Sequence, residues 1–217
     1  MAIITISRGT MSGGRAVATC LANRLGYPCI AREVLKEAAA VLGASEETVL
    51  DKLQTPPGLW DRVKRERTAY LVAVQAALAE QCLDGNLVYH GLAGQLLLRD
   101  LPGVLRVRLI APLATRVQAL LAQHARTSHA AAERYIRRLD QQRRRWVRVM
   151  YGVDLTDTTL YELTINLESI TLDTACVMIA ELARQPEYQL TDERRRQFTT
   201  FATDCRRRLN DIVRGAG

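Results

Sequence analysis

With 217 residues, 48% of them hydrophobic and 24% charged, the chain has a globular composition. That size holds one sizeable α/β domain or two small ones, and the composition excludes a disordered chain. Thirty Lys and Arg against 23 Asp and Glu give a net charge of +7, and no run of about 20 uncharged apolar residues offers a bilayer span. The five cysteines (Cys20, Cys29, Cys82, Cys176, Cys205) never fall in C-x-x-C spacing. They read as buried thiols in a reducing compartment, with no zinc site among them. Met1-Ala2-Ile3 enters a strand without a charged leader, so the expected location is the cytoplasm.

The first element sets the theme of the chain. Ile3-Ile4-Thr5-Ile6 is a β-branched run that stops at Ser7 to Gly14, and a helical pattern resumes at Ala16, giving strand, tight loop, helix. In that layout glycines admit backbone N–H groups to phosphate oxygens and the helix turns its positive end to the same anion. Set against the Walker A pattern G-x-x-x-x-G-K-[ST], with Gly13 as the second glycine, Gly14 stands at the lysine and Arg15 at the hydroxyl. The loop therefore lacks its lysine.

The first helix ends at Gly26, and Tyr27 to Ile30 is a short second strand. From Arg32 to Leu83 the pattern is almost wholly helical: Arg32–Leu42, a helix capped by Ser45, a break at Thr55-Pro56-Pro57-Gly58, and a long helix from about Leu59 with Trp60 and Tyr70 as core residues. Leu87-Val88-Tyr89 is a buried strand ending at His90-Gly91, a tip expected beside the first loop because ligands of parallel sheets bind at the carboxyl ends of strands. A short helix near Leu96–Leu98, a strand Val104–Ile110 and a helix to about Ala125 follow.

Ser128 caps a helix running to about Met150, with an expected apolar stripe of Tyr135, Ile136, Leu139, Trp146, Val147 and Met150. Between positions 126 and 148 lie eight arginines against Glu133 and Asp140. Such a concentration suits an anion clamp, although charge runs are more often solvated faces. A strand Leu163–Asn166 and a helix Leu172–Arg184 complete the alternation that argues for a mainly parallel sheet covered by helices. Beyond Pro186, an amphipathic helix over Thr191–Val213 carries Phe198, Phe201, Cys205, Leu209 and Ile212 between two triple-arginine runs, a face suited to packing on its own domain or on a second copy as a homodimer.

Several stretches together resemble one family. They are Ile6-Ser7-Arg8 with Ser12-Gly13-Gly14-Arg15, Leu25-Gly26-Tyr27-Pro28 with Arg32-Glu33, Val88-Tyr89-His90-Gly91 with Ala93-Gly94, and Val104 to Arg108 with Ala111-Pro112. Asp140 with Arg143, Arg145 and Trp146, then Tyr151 to Asp154, Leu160-Tyr161 and Ile165-Asn166 continue the series. In order and spacing the set resembles the cytidylate kinase-like branch of the P-loop nucleoside monophosphate kinases over roughly residues 3 to 180. The resemblance implies an α/β fold of three layers, α/β/α, with a mainly parallel sheet. It implies a kinase-like domain over 1–186, a helical acceptor insertion at about 32–83, an arginine-rich lid at about 126–148, and a C-terminal helical extension at 187–217.

It also implies ATP and Mg2+ as cofactors and phosphoryl transfer to a nucleotide or other small phosphate acceptor. The cofactor would lie on Arg8, Ser12, Gly13, Gly14, Arg15 and Ala16, and the acceptor near Arg32, Glu33, His90 and Gly91. The catalytic group expected is Arg15, Arg137, Arg138, Arg143 and Arg145, with Asp140 orienting one of the lid arginines; metal ligands stay unassigned. Two features depart from the family: no lysine follows the loop, and Ala31 stands where relatives commonly carry an aspartate. They support an alternative reading as a nucleotide-binding protein without transfer activity. Nucleic-acid binding rests only on charge and is not favoured, with 5% aromatic residues for base stacking.

Overall fold

A computed structural model describes residues 1–54, 61–91 and 93–214. The strands are β1 (Ile3–Arg8), β2 (Cys29–Ile30), β3 (Leu87–Tyr89), β4 (Val104–Ile110) and β5 (Leu163–Asn166), and they form one sheet in the order β2-β3-β1-β4-β5. Every pairing is parallel, with Ile3 opposite Leu87 on one side and Val104 on the other. Helices α1 (Gly14–Leu25), α2 (Glu33–Leu42), α3 (Glu46–Gln54), α4 (Asp61–Gln81), α5 (Gly94–Leu97), α6 (Leu113–Gln123), α7 (His129–Tyr151), α8 (Leu172–Ala183) and α9 (Asp192–Arg214) cover it. The expected bounds of β3, β4 and β5 are met to the residue. The break at Thr55–Gly58 and the core position of Trp60 lie outside the described residues.

The period-two alternation of the strands sorts the sheet into two cores. Ile4, Ile6, Leu105, Val107 and Leu109 face α1 and α8 through Val17, Leu21, Cys176 and Ile179. Ile3, Leu87, Tyr89 and Val104 face the other way, onto Val34, Leu35, Leu78, Trp146, Phe198 and Leu209. Arg106 and Arg108 alternate with the apolar residues of β4 and so stand on this second face. The helix α9 packs on α4, burying Phe198, Cys205 and Leu209 in the same core as residues of α2 and α4.

Two expectations change. Cys20 on α1 and Cys176 on α8 form a disulfide with 6.2 Å between Cα atoms, so they are not free thiols. Both point into the α1–α8 contact, and a separation of 156 residues hides such a meeting from any reading of local spacing. Tyr135 leaves the apolar stripe of α7: it is 42% exposed, while Ala132, Ile136, Trp146 and Val147 are the buried positions. The helix docks its two halves on different partners, so its buried stripe shifts along its length. Its first half packs on Val117 and Leu120 of α6, and Trp146 and Val147 enter the core of the insertion.

Candidate active site

The loop between β1 and α1 is shaped by its glycines and by the arginine before it. Gly13 is the N-cap of α1 at φ 76°, a left-handed conformation costly for a residue with a side chain. A Cβ there would lie 2.9 Å from Leu172 of α8. At Gly14 an added Cβ would run into the side chain of Arg8, which crosses that position to donate to the carbonyl of His90. This contact joins the tip of β3 to the loop, as the carboxyl-end rule anticipates. Ser12 is buried and donates its hydroxyl to Gly9 O at 2.9 Å, so it closes the loop on itself. The N–H groups that open α1 precede the first intrahelical bond, from Val17 N to Gly13 O, and are left without an intrahelical acceptor.

Helix α7 meets this loop at Thr10. Thr10 N and Oγ1 donate to Asp140 Oδ1 at 3.0 and 2.8 Å, and Arg143 Nη1 donates to Thr10 Oγ1 at 3.2 Å. Arg116 of α6 donates to Asp140 Oδ2 at 2.5 Å. Asp140 is therefore paired with Arg116, outside the lid arginines among which its partner was expected. Burial would raise the Asp140 carboxyl, but the hydrogen bonds from Arg116 and Thr10 hold it below the ordinary carboxylate value. Burial pushes the Arg143 guanidinium below its ordinary value, with Asp140 pulling the other way.

Beside this junction a cavity of about 220 Å³ opens at the carboxyl ends of β1 and β4. Ser7, Arg8, Arg108, Arg116, Arg143 and Arg144 line it together with Asp140, so its walls carry one carboxylate against five guanidinium groups. Arg108 donates to the carbonyl of Leu155 and to Tyr161 Oη at 3.1 Å, and lies 5.3 Å from the Tyr161 ring centre. Sequence reasoning missed Arg108, Arg116 and Arg144. Arg108 left a signal in the alternating arginines of an otherwise apolar strand. Arg116 left none, being one arginine on an ordinary amphipathic helix.

The remaining expected residues fall in two groups. Arg15 and Ala16 are exposed in the first turn of α1. The positive charge of Arg15 reaches Arg8, Cys29 and His90. His90 is pushed below the ordinary imidazole value by burial and by Arg8, and its Nδ1 is buried without a hydrogen-bond partner among the described residues. Glu33 accepts from the N–H of Ala31, two residues before it, and Arg32 is exposed at the start of α2. Gly91 sits against Tyr89 and the carbonyl of Ala31.

The other α7 arginines expected at the site are elsewhere. Arg137 pairs with Glu133 at 2.8 Å, Arg138 lies 5.8 Å from the Tyr135 ring centre, and Arg145 is exposed. The structure thus brings Asp140 and Arg143 to the loop and leaves Arg137, Arg138 and Arg145 outside the cavity lining.

Comparison with known proteins gives three results. The model of the cytidylate kinase-like family matches residues 3–169. A cytidylate kinase of Methanothermobacter thermautotrophicus is 29% identical over 172 residues, covering 76% of this chain and 94% of its own. Among solved structures, an uncharacterised protein from Eubacterium ventriosum superposes with a TM-score of 0.65 at 21% identity, over 83% of this chain and 97% of its own.

Proposed function

The chain belongs to the cytidylate kinase-like family, and from that premise we propose that it transfers the γ-phosphoryl group of ATP to a nucleotide or another small phosphate-bearing acceptor. The observation that carries this reading is the meeting of loop and lid at Thr10, where Arg143 and Asp140 of α7 are hydrogen-bonded to the phosphate loop. Phosphoryl transfer demands positioning, charge neutralisation and exclusion of water, with little covalent help from the protein. The bare N–H groups of Gly13 to Ala16 suit the triphosphate. Arg15 and Arg143 supply the charge that a loop lysine gives in the Walker pattern, and a closed α7 screens the cleft from water.

The residues fit the triphosphate better than they fit a protein-held metal ion. Among the described residues no group of three His, Cys, Asp or Glu side chains is placed to hold one. The Thr10 hydroxyl donates to Asp140 and accepts from Arg143, and Ser12 is turned to Gly9. Each hydroxyl gives its proton to a protein oxygen but keeps an oxygen lone pair, so Thr10 and Ser12 are the loop oxygens that would meet a magnesium ion carried in with ATP. The missing loop lysine and Ala31 favour a second reading, a nucleotide-binding protein that does not transfer phosphate.

Incubation of the purified chain with ATP, magnesium and a panel of nucleoside monophosphates, followed by ADP release, separates the two. Acceptor-dependent ADP formation is expected. Tight ATP binding with no ADP above background for any acceptor would replace the first reading by the second.

A further inference from the structure

Arg116 belongs to neither the loop nor the lid, yet it touches both. It stands on α6 and its side chain is 14% exposed. Its Nη1 reaches Asp140 Oδ2 at 2.5 Å and the carbonyl of Thr10 at 3.3 Å. The same nitrogen lies 3.2 Å from the place a Cβ on Gly9 would take, so it is the bare backbone at Gly9 that gives the guanidinium room. Asp140 uses its other oxygen for Thr10 N and Oγ1. The two carboxylate oxygens are thus divided, one to the loop and one to Arg116.

We propose that Arg116 is a positioning residue: by neutralising Asp140 from outside α7, it leaves the Arg143 guanidinium to face the phosphate of a bound nucleotide instead of the carboxylate. The inference rests on the reading of this cleft as a nucleoside triphosphate site. Asp140 and Arg143 are three residues apart on one helix, a spacing at which opposite charges pair. Arg143 at present commits Nη1 to Thr10 Oγ1. Without Arg116, the half-buried carboxylate has Arg143 as its nearest cationic alternative, and it also repels any phosphate at the loop. Both effects require the negative charge of Asp140. Neutralising that residue therefore relieves the loss of Arg116, whereas it would not repair a residue that only supported the fold or gripped the nucleotide directly.

The test is a double-mutant cycle read by ATP affinity, measured by isothermal titration calorimetry on the full chain. The set is wild type, Arg116→Ala, Arg116→Lys, Asp140→Asn and Arg116→Ala/Asp140→Asn, with a thermal melt of each. Arg116→Ala is expected to bind ATP at least about tenfold more weakly, and Arg116→Lys to recover part of the loss. The double variant is expected within about threefold of Asp140→Asn alone. A double variant as weak as Arg116→Ala overturns the inference while leaving the nucleotide site standing. Wild-type protein that fails to bind ATP removes the nucleotide reading and the inference with it. Should Arg116→Ala not fold, Arg116→Lys with and without Asp140→Asn carries the same comparison.

Discussion

Helices α7 and α9 are each 23 residues long and rich in arginine, but they use their charge in different ways. On α9 the guanidinium groups tie the helix to its own domain. Arg194 donates to Gln189 O at 2.6 Å, Arg195 to the carbonyl of Leu83, and Arg206 to Glu80 at 2.8 Å. On α7 two of the arginines away from the loop are likewise occupied locally, Arg137 by Glu133 and Arg148 by Asp154. Arg143 differs because it reaches Thr10, at the carboxyl end of the sheet. Arginine density therefore marks neither helix as the site; what each guanidinium meets in the fold separates a fastening from a charge on the cavity wall.

That contrast can be broken from either side. The largest effect is expected from Phe198→Ala, which empties a fully buried position under α9 and should cost about 3–5 kcal/mol in urea unfolding, with ATP affinity of the folded protein unchanged. Arg143→Ala should do the reverse, lowering kcat/KM about a hundredfold or more while the melting temperature stays close to wild type. Equal damage to stability would place Arg143 with the fastening arginines of α9.

Smaller effects sharpen the comparison. Arg195→Ala removes a donor from a partly buried carbonyl and should cost about 1 kcal/mol in unfolding free energy, with no change in ATP affinity. Arg206→Ala breaks a pair whose arginine side chain is 63% exposed, and its change in denaturation midpoint should correspond to less than about 1 kcal/mol.

The Asp140 junction predicts a pH dependence. Because the folded carboxyl is held below its unfolded value, its contribution to stability is fully present above about pH 4 and is lost as pH falls through the folded value. The difference in melting temperature between wild type and Asp140→Asn should accordingly shrink below about pH 4. A difference that stays constant down to pH 2.5 would show that the carboxylate contributes nothing through its charge.

Much of the architecture was legible because strands and helices announce themselves locally. Val104–Ile110 shows its apolar alternation, Ser128 its cap and Gly152 its left-handed stop. The turn from β1 into α1 was legible for the same reason, since glycine at 13 and 14 answers to backbone conformation and to the close passage of Arg8. Helical spacing could align the lid arginines but could not say which of them would face the loop. Arg137 and Arg144 fall on one side of a helical projection, yet one is held by Glu133 and the other lines the cavity.

By itself, then, the sequence determined the order of elements, the parallel sheet and the place of the glycine turn between β1 and α1, because each depends on residues close together in the chain. Only the tertiary structure decided that Arg116 partners Asp140, that Arg108 joins the cavity wall, and that Cys20 meets Cys176. The physical reason is the same in each case. A charge or a thiol finds its partner where the packing of distant elements brings the two together, and strand and helix periods carry no information about that distance.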